Sequence, residues 1–352
     1  MISLTHLQAR LDELLQAMKQ QRVEAFVITN NLDQYYLTDF YFYPQETVLL
    51  VYGGGVVCFT RDLYVGQLKI QKPWMEIIGC ENRVQAAVEK LRALRIKRAG
   101  FDAAKENYFA GKLMQAAGLK EVPSLVSQLR EDKDRAEIKR LRDSNRIAYL
   151  AYEYVRPRIK TGMTETQVAV MLEQFMRSQG ASAVSFMSIV CFGENAANPH
   201  HETSMRKLNN NEAILMDYGC IYHGYCSDIT RCWWHGKNEP AEYTKIWNIV
   251  DKARRTGIKA LRPGVATKDI DGAARGVIAA AGYGDYFTHR TGHGVGMDIH
   301  EEPFNSADSN AILHAGNIVT VEPGIYLPGK FGVRLEDTLV VTEKGSSILT
   351  RK

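Results

Sequence analysis

Five side chains of the kinds that bind metal ions follow one another in the C-terminal part of the chain, each in a short segment marked by Gly, Pro or Arg: Asp217, Asp228, His293, Glu322 and Glu336. A fold that buries four carboxylates must compensate their charge, because an isolated buried carboxylate is costly. A ligand set rich in oxygen suits Mn²⁺, Co²⁺, Fe²⁺ or Zn²⁺ better than copper or an iron–sulfur centre. With several carboxylates available to bridge, the sequence predicts two metal ions that share an activated water for hydrolysis.

Length, charge and hydropathy exclude several classes of protein. The 352 residues suggest about two domains. The net charge of +4 comes without a block of Lys and Arg, so no nucleic-acid partner is expected. Residues 1–22 mix charged and apolar side chains at helical spacing, unlike a signal peptide, and no apolar run is long enough for a membrane span. We therefore predict a cytoplasmic protein without membrane contact.

The six cysteines are expected to be free thiols. None forms a CxxC pair, and a chain of this length needs no disulfide framework. They are Cys58, Cys80, Cys191, Cys220, Cys226 and Cys232.

Helical and strand patterns alternate through the first part of the chain. Helical spacing at 4–21 and 84–93 is interspersed with strand-like runs at 23–29, 47–51, 56–60, 75–78 and 98–101. This alternation predicts an α/β domain. A densely charged helix over about 132–158 marks the domain boundary, so we predict an N-terminal domain at 1–128 and a catalytic domain at 129–352.

The C-terminal part contains an internal repeat. Gly162 precedes a helical pattern that ends at Gly180, and Gly264 precedes one that ends at Gly282, an offset of 102 residues in both cases (264 − 162 and 282 − 180). The residues from Thr164 to Gln167 form a capping box that begins the first of these helices. Two similar α/β halves predict an internal pseudo-twofold, with a site where the halves meet.

Two of the candidate ligands lie in a predicted hairpin over 213–231. Asp217 ends an apolar run, Gly219 and Gly224 permit a turn, and Asp228 lies on the returning strand. A hairpin would place both carboxylates at neighbouring positions on one sheet. Two close carboxylates repel each other and lose solvation, and a cation removes both penalties. A surface hairpin with two solvated Asp side chains is the alternative.

The segment 289–303 carries three histidines: His289, His293 and His300. Gly292, Gly294 and Gly296 argue against a helix, because each costs about 1 kcal/mol relative to Ala. A Gly-rich loop or strand that brings the backbone close to a ligand is predicted instead. The pattern matches neither a nucleotide-binding GxGxxG nor a P-loop.

The last two candidate ligands lie in strand-like runs of β-branched residues. In 319–326 the strand stops just after Glu322, at Pro323 and Gly324. In 332–342 Arg334 is two residues from Glu336, hence on the same face of one predicted strand. For the first run taken alone, the alternative is a Glu on an edge strand. For the second run taken alone, it is an Arg–Glu cross-strand pair.

These segments resemble a known family. The runs DYGCIYHGYCSDITR, HRTGHGVGMDIHEEP and VEPGIYLPGKFGVRLED are similar to signatures of the creatinase/prolidase/aminopeptidase P family of proline-specific metallopeptidases. The similarity covers nearly the whole chain and is strong from Glu131 onward, with NLDQYYLTDF family-like in the first part. The resemblance implies a creatinase-like α/β domain followed by a catalytic domain of the pita-bread fold, an α/β (α+β) architecture. It also implies a homodimer, in which the aromatic segment 35–43 is a candidate contributor to the partner's site, with packing in the core as the alternative.

The family's ligand positions fall on the five side chains named above, and none is substituted. The resemblance implies two divalent ions, Mn²⁺ first with Co²⁺, Zn²⁺ or Fe²⁺ as alternatives, bridged by Asp228 and Glu336. Asp217 would complete one shell, and His293 and Glu322 the other. One departure is His201, where many relatives have Gly or another small residue.

The resemblance also implies roles in catalysis. Glu322 would take the proton of the attacking water. His300 and His200 would donate hydrogen bonds to the developing oxyanion or to substrate carbonyls. His289 would line the proline pocket, and the family's site Arg falls on Arg334.

The predicted activity is removal of the residue before proline from short peptides, as an Xaa-Pro aminopeptidase, with an Xaa-Pro dipeptidase (prolidase) as the alternative. A methionine aminopeptidase is disfavoured by the N-terminal domain, by the context of His200 and His300, and by the RLED ending. The intact ligand set disfavours a metal-free, creatinase-like hydrolase. A non-catalytic binding protein on the same scaffold is the alternative from another class.

Overall fold

The computed structural model describes residues 2–351, and the chain divides into two units. Helices and strands alternate through the first unit. One unit runs up to Arg130, and the other from Glu131 onward. Within 2–351 no helix combines the length and apolar character that crossing a membrane requires.

The first unit is built on a six-stranded sheet of order β4-β3-β2-β1-β5-β6. The strand pairs β1–β2 and β2–β3 are antiparallel, and β1–β5, β3–β4 and β5–β6 are parallel. The strands are β1 (Ala25–Ile28), β2 (Thr47–Tyr52), β3 (Gly55–Thr60), β4 (Glu76–Gly79), β5 (Ala99–Asp102) and β6 (Lys120–Val122). The helices are α1 (Leu4–Gln20), α2 (Asn31–Thr38), α3 (Asp62–Gln71), α4 (Arg83–Ala93), α5 (Tyr108–Ala116) and α6 (Leu125–Glu131).

The predicted alternation of this unit is confirmed, with four helices and one strand added. Helix α1 begins after Ser3, whose side chain accepts a hydrogen bond from the N–H of His6, and it buries Leu7, Leu11 and Leu14 on one stripe. Helices α2, α3, α5 and α6 and strand β6 were not predicted, because each has ten residues or fewer and gives only a short periodic pattern. The cap of α2 was visible in the sequence, since the Asn30 side chain accepts from two backbone N–H groups.

The second unit contains the remaining helices and strands, and its described strands form four sheets. Its helices are α7 (Arg135–Val155), α8 (Glu165–Ser178), α9 (Ala241–Ala260) and α10 (Thr267–Ala280). The three-stranded sheets are β11-β10-β7 and β12-β9-β8, the five-stranded sheet is β14-β13-β15-β18-β19, and β16 pairs with β17. The strands are β7 (Ala183–Val184), β8 (Ile189–Phe192), β9 (Glu212–Tyr218), β10 (Cys220–Tyr222), β11 (Tyr225–Cys226), β12 (Ile229–His235), β13 (Gly292–Gly294), β14 (Glu301–Asn305), β15 (Ile318–Val321), β16 (Gly324–Leu327), β17 (Phe331–Arg334), β18 (Asp337–Thr342) and β19 (Gly345–Ile348).

The internal repeat is present in these elements. Helices α8 and α10 have 14 residues each, and each follows a long helix, α7 or α9. Gly162 and Gly264 both have a positive φ, 89° and 81°, which favours glycine at the turn before each short helix. The capping box from Thr164 to Gln167 forms as predicted. All six cysteines are free thiols, as expected.

Strand β9 lies between two hydrophobic cores. Ile214 and Met216 face the core under α7 and α8, and Ala213 and Leu215 face the core under α9. Because side chains alternate along a strand, Asp217 continues the second face and points to the side of the sheet that α9 covers. The buried strand therefore places the Asp217 carboxylate at the end of the core under α9.

Candidate metal centre

The five candidate ligands lie at the ends of strands in the second unit. Asp217 is in β9 opposite Thr230 of β12, and Asp228 directly precedes β12. Asp228 is thus two residues from the partner of Asp217, a diagonal neighbour on the same face, as the hairpin predicts. His293 is in the middle of β13, and Glu322 directly follows β15. The remaining ligand, Glu336, lies between β17 and β18.

One strand prediction here is wrong. The run 332–342 is two strands rather than one, because β17 pairs with β16 while β18 joins the five-stranded sheet. Glu336 occupies the junction, where its backbone N–H donates to the carbonyl of Thr230 at 3.2 Å. Arg334 therefore does not pair with Glu336. Its ion pair is with Asp217, with 2.5 Å between Nη2 and Oδ2.

The structure brings three of the five side chains into one compact group. Asp228, His293 and Glu336 each offer a ligand atom, these atoms lie within 4.8 Å of one another, and all three residues are buried. Glu322 adjoins the group, with its Oε1 3.4 Å from Nε2 of His293. Asp217 interacts electrostatically with the same carboxylates.

Burial and mutual repulsion disfavour the ionised form of the carboxylates in this group. Burial raises the pKa of Asp228 well above its usual range, and the neighbouring carboxylates, first Glu336, raise it further. Burial likewise raises the pKa of Glu336 well above its usual range, with Glu322 the largest contributor of like charge. Burial raises the pKa of Glu322 to about 8. Mutual repulsion in a dry site is the condition that a divalent cation relieves.

His293 is neutral and turned toward the carboxylates. Burial, and after it the nearby His300, lower the pKa of its imidazole to about 3. Its Nδ1 lies 3.0 Å from the carbonyl oxygen of Gly294, which can only accept, so Nδ1 carries the proton. The lone pair of Nε2 is then directed to Asp228, 3.5 Å away. A neutral imidazole oriented by a backbone carbonyl is the usual form of a metal-ligating histidine.

Orphaned oxygen atoms show that these residues fit a divalent ion. Oδ1 of Asp217 and Oε1 of Glu336 are buried without a hydrogen-bond partner in the described part of the chain. Buried polar atoms are satisfied in native proteins far more often than not, so two orphans in one acidic cluster call for a cation. Four carboxylates and a neutral imidazole are a donor set that Mn²⁺, Co²⁺, Fe²⁺ or Zn²⁺ accepts.

Arg334 organises the wall beside the group. Besides its pair with Asp217, it donates from Nη1 to the hydroxyl of Tyr326 at 2.8 Å. Nε2 of His289 lies 2.7 Å from that same hydroxyl. The chain from Asp217 through Arg334 and Tyr326 to His289 ties a candidate ligand to a candidate substrate-binding residue. Tyr326 was missed by the sequence analysis, although it ends the run VEPGIY that carries Glu322.

A cavity of about 1220 Å³ opens onto these side chains. Its wall includes Asp217, Asp228, His293, Glu322 and Arg334 together with the three histidines His200, His289 and His300. The His300 ring lies 4.3 Å from the His293 ring, centroid to centroid. The cavity therefore brings together the candidate ligands other than Glu336 and all the candidate substrate-binding residues.

Two glycines of the segment 289–303 let neighbouring strands approach β13 closely. A Cβ on Gly292 would lie 2.0 Å from the carbonyl oxygen of Thr320 in β15, and one on Gly294 would lie 2.5 Å from the carbonyl oxygen of Glu301. These glycines allow strands to pack closely around β13, and Gly292 also lines the cavity described above. Close strand packing holds His293 between its neighbours.

Comparison with known proteins now identifies the family. The model of metallopeptidase family M24 matches residues 139–343, and that of the creatinase/prolidase N-terminal domain matches residues 10–131. The chain belongs to metallopeptidase family M24. Its membership implies that a divalent metal binds, and the buried group of carboxylates and imidazole is a possible place for it. The resemblance and the architecture predicted from the sequence are confirmed.

Several known proteins align with this chain over almost its whole length. YqhT of Bacillus subtilis, an uncharacterized peptidase, is 37% identical over 97% of this chain and 97% of its own. Among solved structures, an Xaa-Pro dipeptidase from Bacillus anthracis has a TM-score of 0.93 at 32% identity and covers 98% of both chains. An X-Pro aminopeptidase from Thermotoga maritima has a TM-score of 0.90 at 30% identity and covers 97% of both chains.

Proposed function

We propose that this M24 peptidase hydrolyses the bond between an N-terminal residue and a following proline in short peptides, as an Xaa-Pro aminopeptidase. The observation that carries the proposal is the buried group of Asp228, His293 and Glu336 at the cavity that His200, His289 and His300 line. Solved neighbours named for Xaa-Pro bonds supply the substrate class.

The proposed site uses two divalent ions, with Mn²⁺ first. Asp217, Asp228, His293, Glu322 and Glu336 would hold them. When bound, such ions lower the pKa of a coordinated water from 15.7 to about 7 and polarise the scissile carbonyl. Arg334 holds Asp217 in place by its ion pair, which fixes the direction of that ligand.

Glu322 is the proposed general base. Its carboxyl is buried, lies at the cavity wall and accepts from the Thr320 hydroxyl at 3.3 Å through one oxygen only. The other oxygen is therefore available to take a proton from the attacking water and return it to the prolyl nitrogen. That return matters, because an amine leaves poorly until it is protonated.

The histidines around the cavity are the proposed contacts to substrate. His300 and His200 would donate hydrogen bonds to the developing oxyanion or to substrate carbonyls. His289, which faces Tyr326, would line the proline pocket. A homodimer is part of the proposal, on the strength of the family resemblance.

The test is release of the N-terminal residue from Ala-Pro and from Ala-Pro-Ala by metal-stripped protein, with and without added Mn²⁺. Cleavage of the tripeptide that depends on Mn²⁺ supports the aminopeptidase. Cleavage of the dipeptide alone supports the dipeptidase. No cleavage of either with Mn²⁺, Co²⁺ or Zn²⁺ would contradict the proposal and favour a binding protein.

One observation favours the dipeptidase as a second candidate. Three arginines line the cavity, and two are neutralised: Arg334 by Asp217, and Arg275 by Asp271 at 2.8 Å. Among the described residues, Arg290 has no carboxylate within the 4.0 Å of an ion pair, and its guanidinium lies 4.7 Å from the centre of the Phe304 ring. An uncompensated cation held against an aromatic face suits the free carboxylate of a dipeptide.

Substitution Arg290→Ala is therefore expected to weaken binding of substrates with a free carboxylate. A hydrogen bond to a charged group contributes about 1.5 kcal/mol, so KM for Ala-Pro should rise about tenfold. KM for Ala-Pro amide should stay within about twofold, because the charge that Arg290 recognises is absent. Arg262→Ala, an exposed site outside the cavity, is the matched control. Equal effects on the acid and the amide would argue against carboxylate recognition.

A further inference from the structure

The carboxylate of Glu165 is the centre of a hydrogen-bond network that the proposed mechanism does not use. Glu165 is the first residue of α8, and its side chain is fully buried. Oε1 accepts from the backbone N–H of Phe192 and from the side-chain amide of Asn195, both at 2.8 Å. Oε2 accepts from Nε2 of His201 at 2.9 Å, and from the hydroxyl and N–H of Ser204 at 2.6 and 3.0 Å.

All five donors belong to one segment, residues 192–204. A buried carboxylate with five donors is rigid, because moving any donor leaves part of a buried charge unsatisfied. The network therefore holds both ends of the segment and its middle against the start of α8. In the sequence, Glu165 resembles any acidic residue in the first turn of a helix, inside the capping box.

His200 lies in this segment and is held on both sides. On one side the carbonyl of Pro199 accepts from Nη1 of Arg334 at 3.2 Å, and on the other the imidazole of His201 is fixed by Glu165. The N–H of His200 donates to the side chain of Asn198 at 3.2 Å. Its own ring makes no hydrogen bond with the described residues and lines the cavity. A fixed backbone with a free imidazole is the arrangement of a side chain prepared for a ligand.

We propose that Glu165 and His201 form a positioning pair that sets the imidazole of His200 at the cavity wall for the substrate. The inference rests on the proposed function, in which His200 donates to the substrate. A displacement of about 1 Å at such a residue can cost on the order of a hundredfold in rate. The pair acts through His200 and touches no reacting atom itself.

The experiment is a double-mutant cycle on kcat/KM for Ala-Pro-Ala, or for Ala-Pro if the enzyme cleaves only the dipeptide, with His200→Ala, His201→Ala and the double variant. We expect His201→Ala to lose about tenfold and His200→Ala to lose about a hundredfold. The double variant should match His200→Ala, because positioning has no value once the imidazole is gone. Losses that multiply in the double variant would overturn the proposal.

Two further variants separate positioning from a general structural role. His201→Gln keeps a donor toward Glu165 and should recover kcat/KM to within about threefold of the wild type. His235→Ala removes a histidine whose Nε2 lies 3.0 Å from the Thr161 hydroxyl, away from the cavity, and should leave kcat/KM unchanged. A loss in His201→Gln equal to that in His201→Ala would overturn the role of the hydrogen bond.

Amide hydrogen exchange tests the pair without any turnover. His201→Ala should speed exchange at residues 198–201 and leave β15 unaffected, whereas unchanged exchange at 198–201 would overturn the proposal. If the wild type cleaves no Xaa-Pro peptide, the proposed function fails while this measurement still reports on the pair. If His201→Ala fails to fold, the test uses His201→Gln together with amide exchange measured in the wild type and in His200→Ala. Slow exchange at residues 198–201 in both the wild type and His200→Ala supports a held segment. Fast exchange there in the wild type overturns the proposal.

Discussion

Glu322→Gln is expected to lower kcat for an Xaa-Pro peptide by about 10²–10⁴-fold, the usual contribution of a general base. The amide keeps the size of the side chain and can still contact a metal through its carbonyl oxygen, but it cannot take the proton of the attacking water. Measurement of kcat should be paired with metal content by mass spectrometry on the same sample, because a lost metal would lower kcat for another reason.

Glu343→Gln is the matched control for this substitution. Glu343 is exposed between β18 and β19, outside the cavity, so kcat should be unchanged. A Glu322→Gln enzyme with full metal content and near-normal kcat would show that another group takes the proton.

Asp228→Asn is expected to abolish both turnover and the stabilisation that a metal confers. A ligand that binds only the folded state at a hundred times its Kd contributes about 2.7 kcal/mol. For a unit of this size, that free energy corresponds to a rise in Tm of roughly 5–10 °C. Added Mn²⁺ should therefore raise Tm of the metal-stripped wild type by this amount and leave Tm of Asp228→Asn nearly unchanged.

Without metal, the order of Tm between the wild type and Asp228→Asn should be reversed. Burial and the neighbouring carboxylates raise the pKa of Asp228, so ionising it in the folded protein is costly, and an amide removes that cost. We expect Asp228→Asn to have a higher Tm than the wild type when both are stripped of metal at pH 8. Asp269→Asn, exposed on α10, is the control, and a Mn²⁺-induced rise in Asp228→Asn equal to that of the wild type would contradict the assignment.

Local sequence was sufficient for those parts of the site that depend on strand periodicity. Asp217 and Asp228 become diagonal neighbours because β9 and β12 pair as the arms of the predicted hairpin, and Glu322 ends its strand because Pro323 follows. The hydrophobic alternation of β9 also fixes which core each side chain faces. These features follow from spacing along a single segment, which a sequence displays directly.

Features that depend on distant partners could not be predicted. Arg334 and Asp217 are 117 residues apart, and nothing near either one indicates that they pair. The break between β17 and β18 depends on which sheet each strand joins, and pairing energies across sheets are not local. The same holds for Glu165, whose five donors come from a segment that begins 27 residues later.

The candidate ligands come from strands that belong to separate sheets. Asp217 and Asp228 belong with β9 and β12, His293 and Glu322 with β13 and β15, and Glu336 with the junction that precedes β18. Ions held by these residues together would act as cross-links that close loops of the chain, in the way a disulfide does, and would thereby lower the entropy of opened states. Metal supply would then control how long the folded peptidase survives proteolysis, in addition to whether it is active.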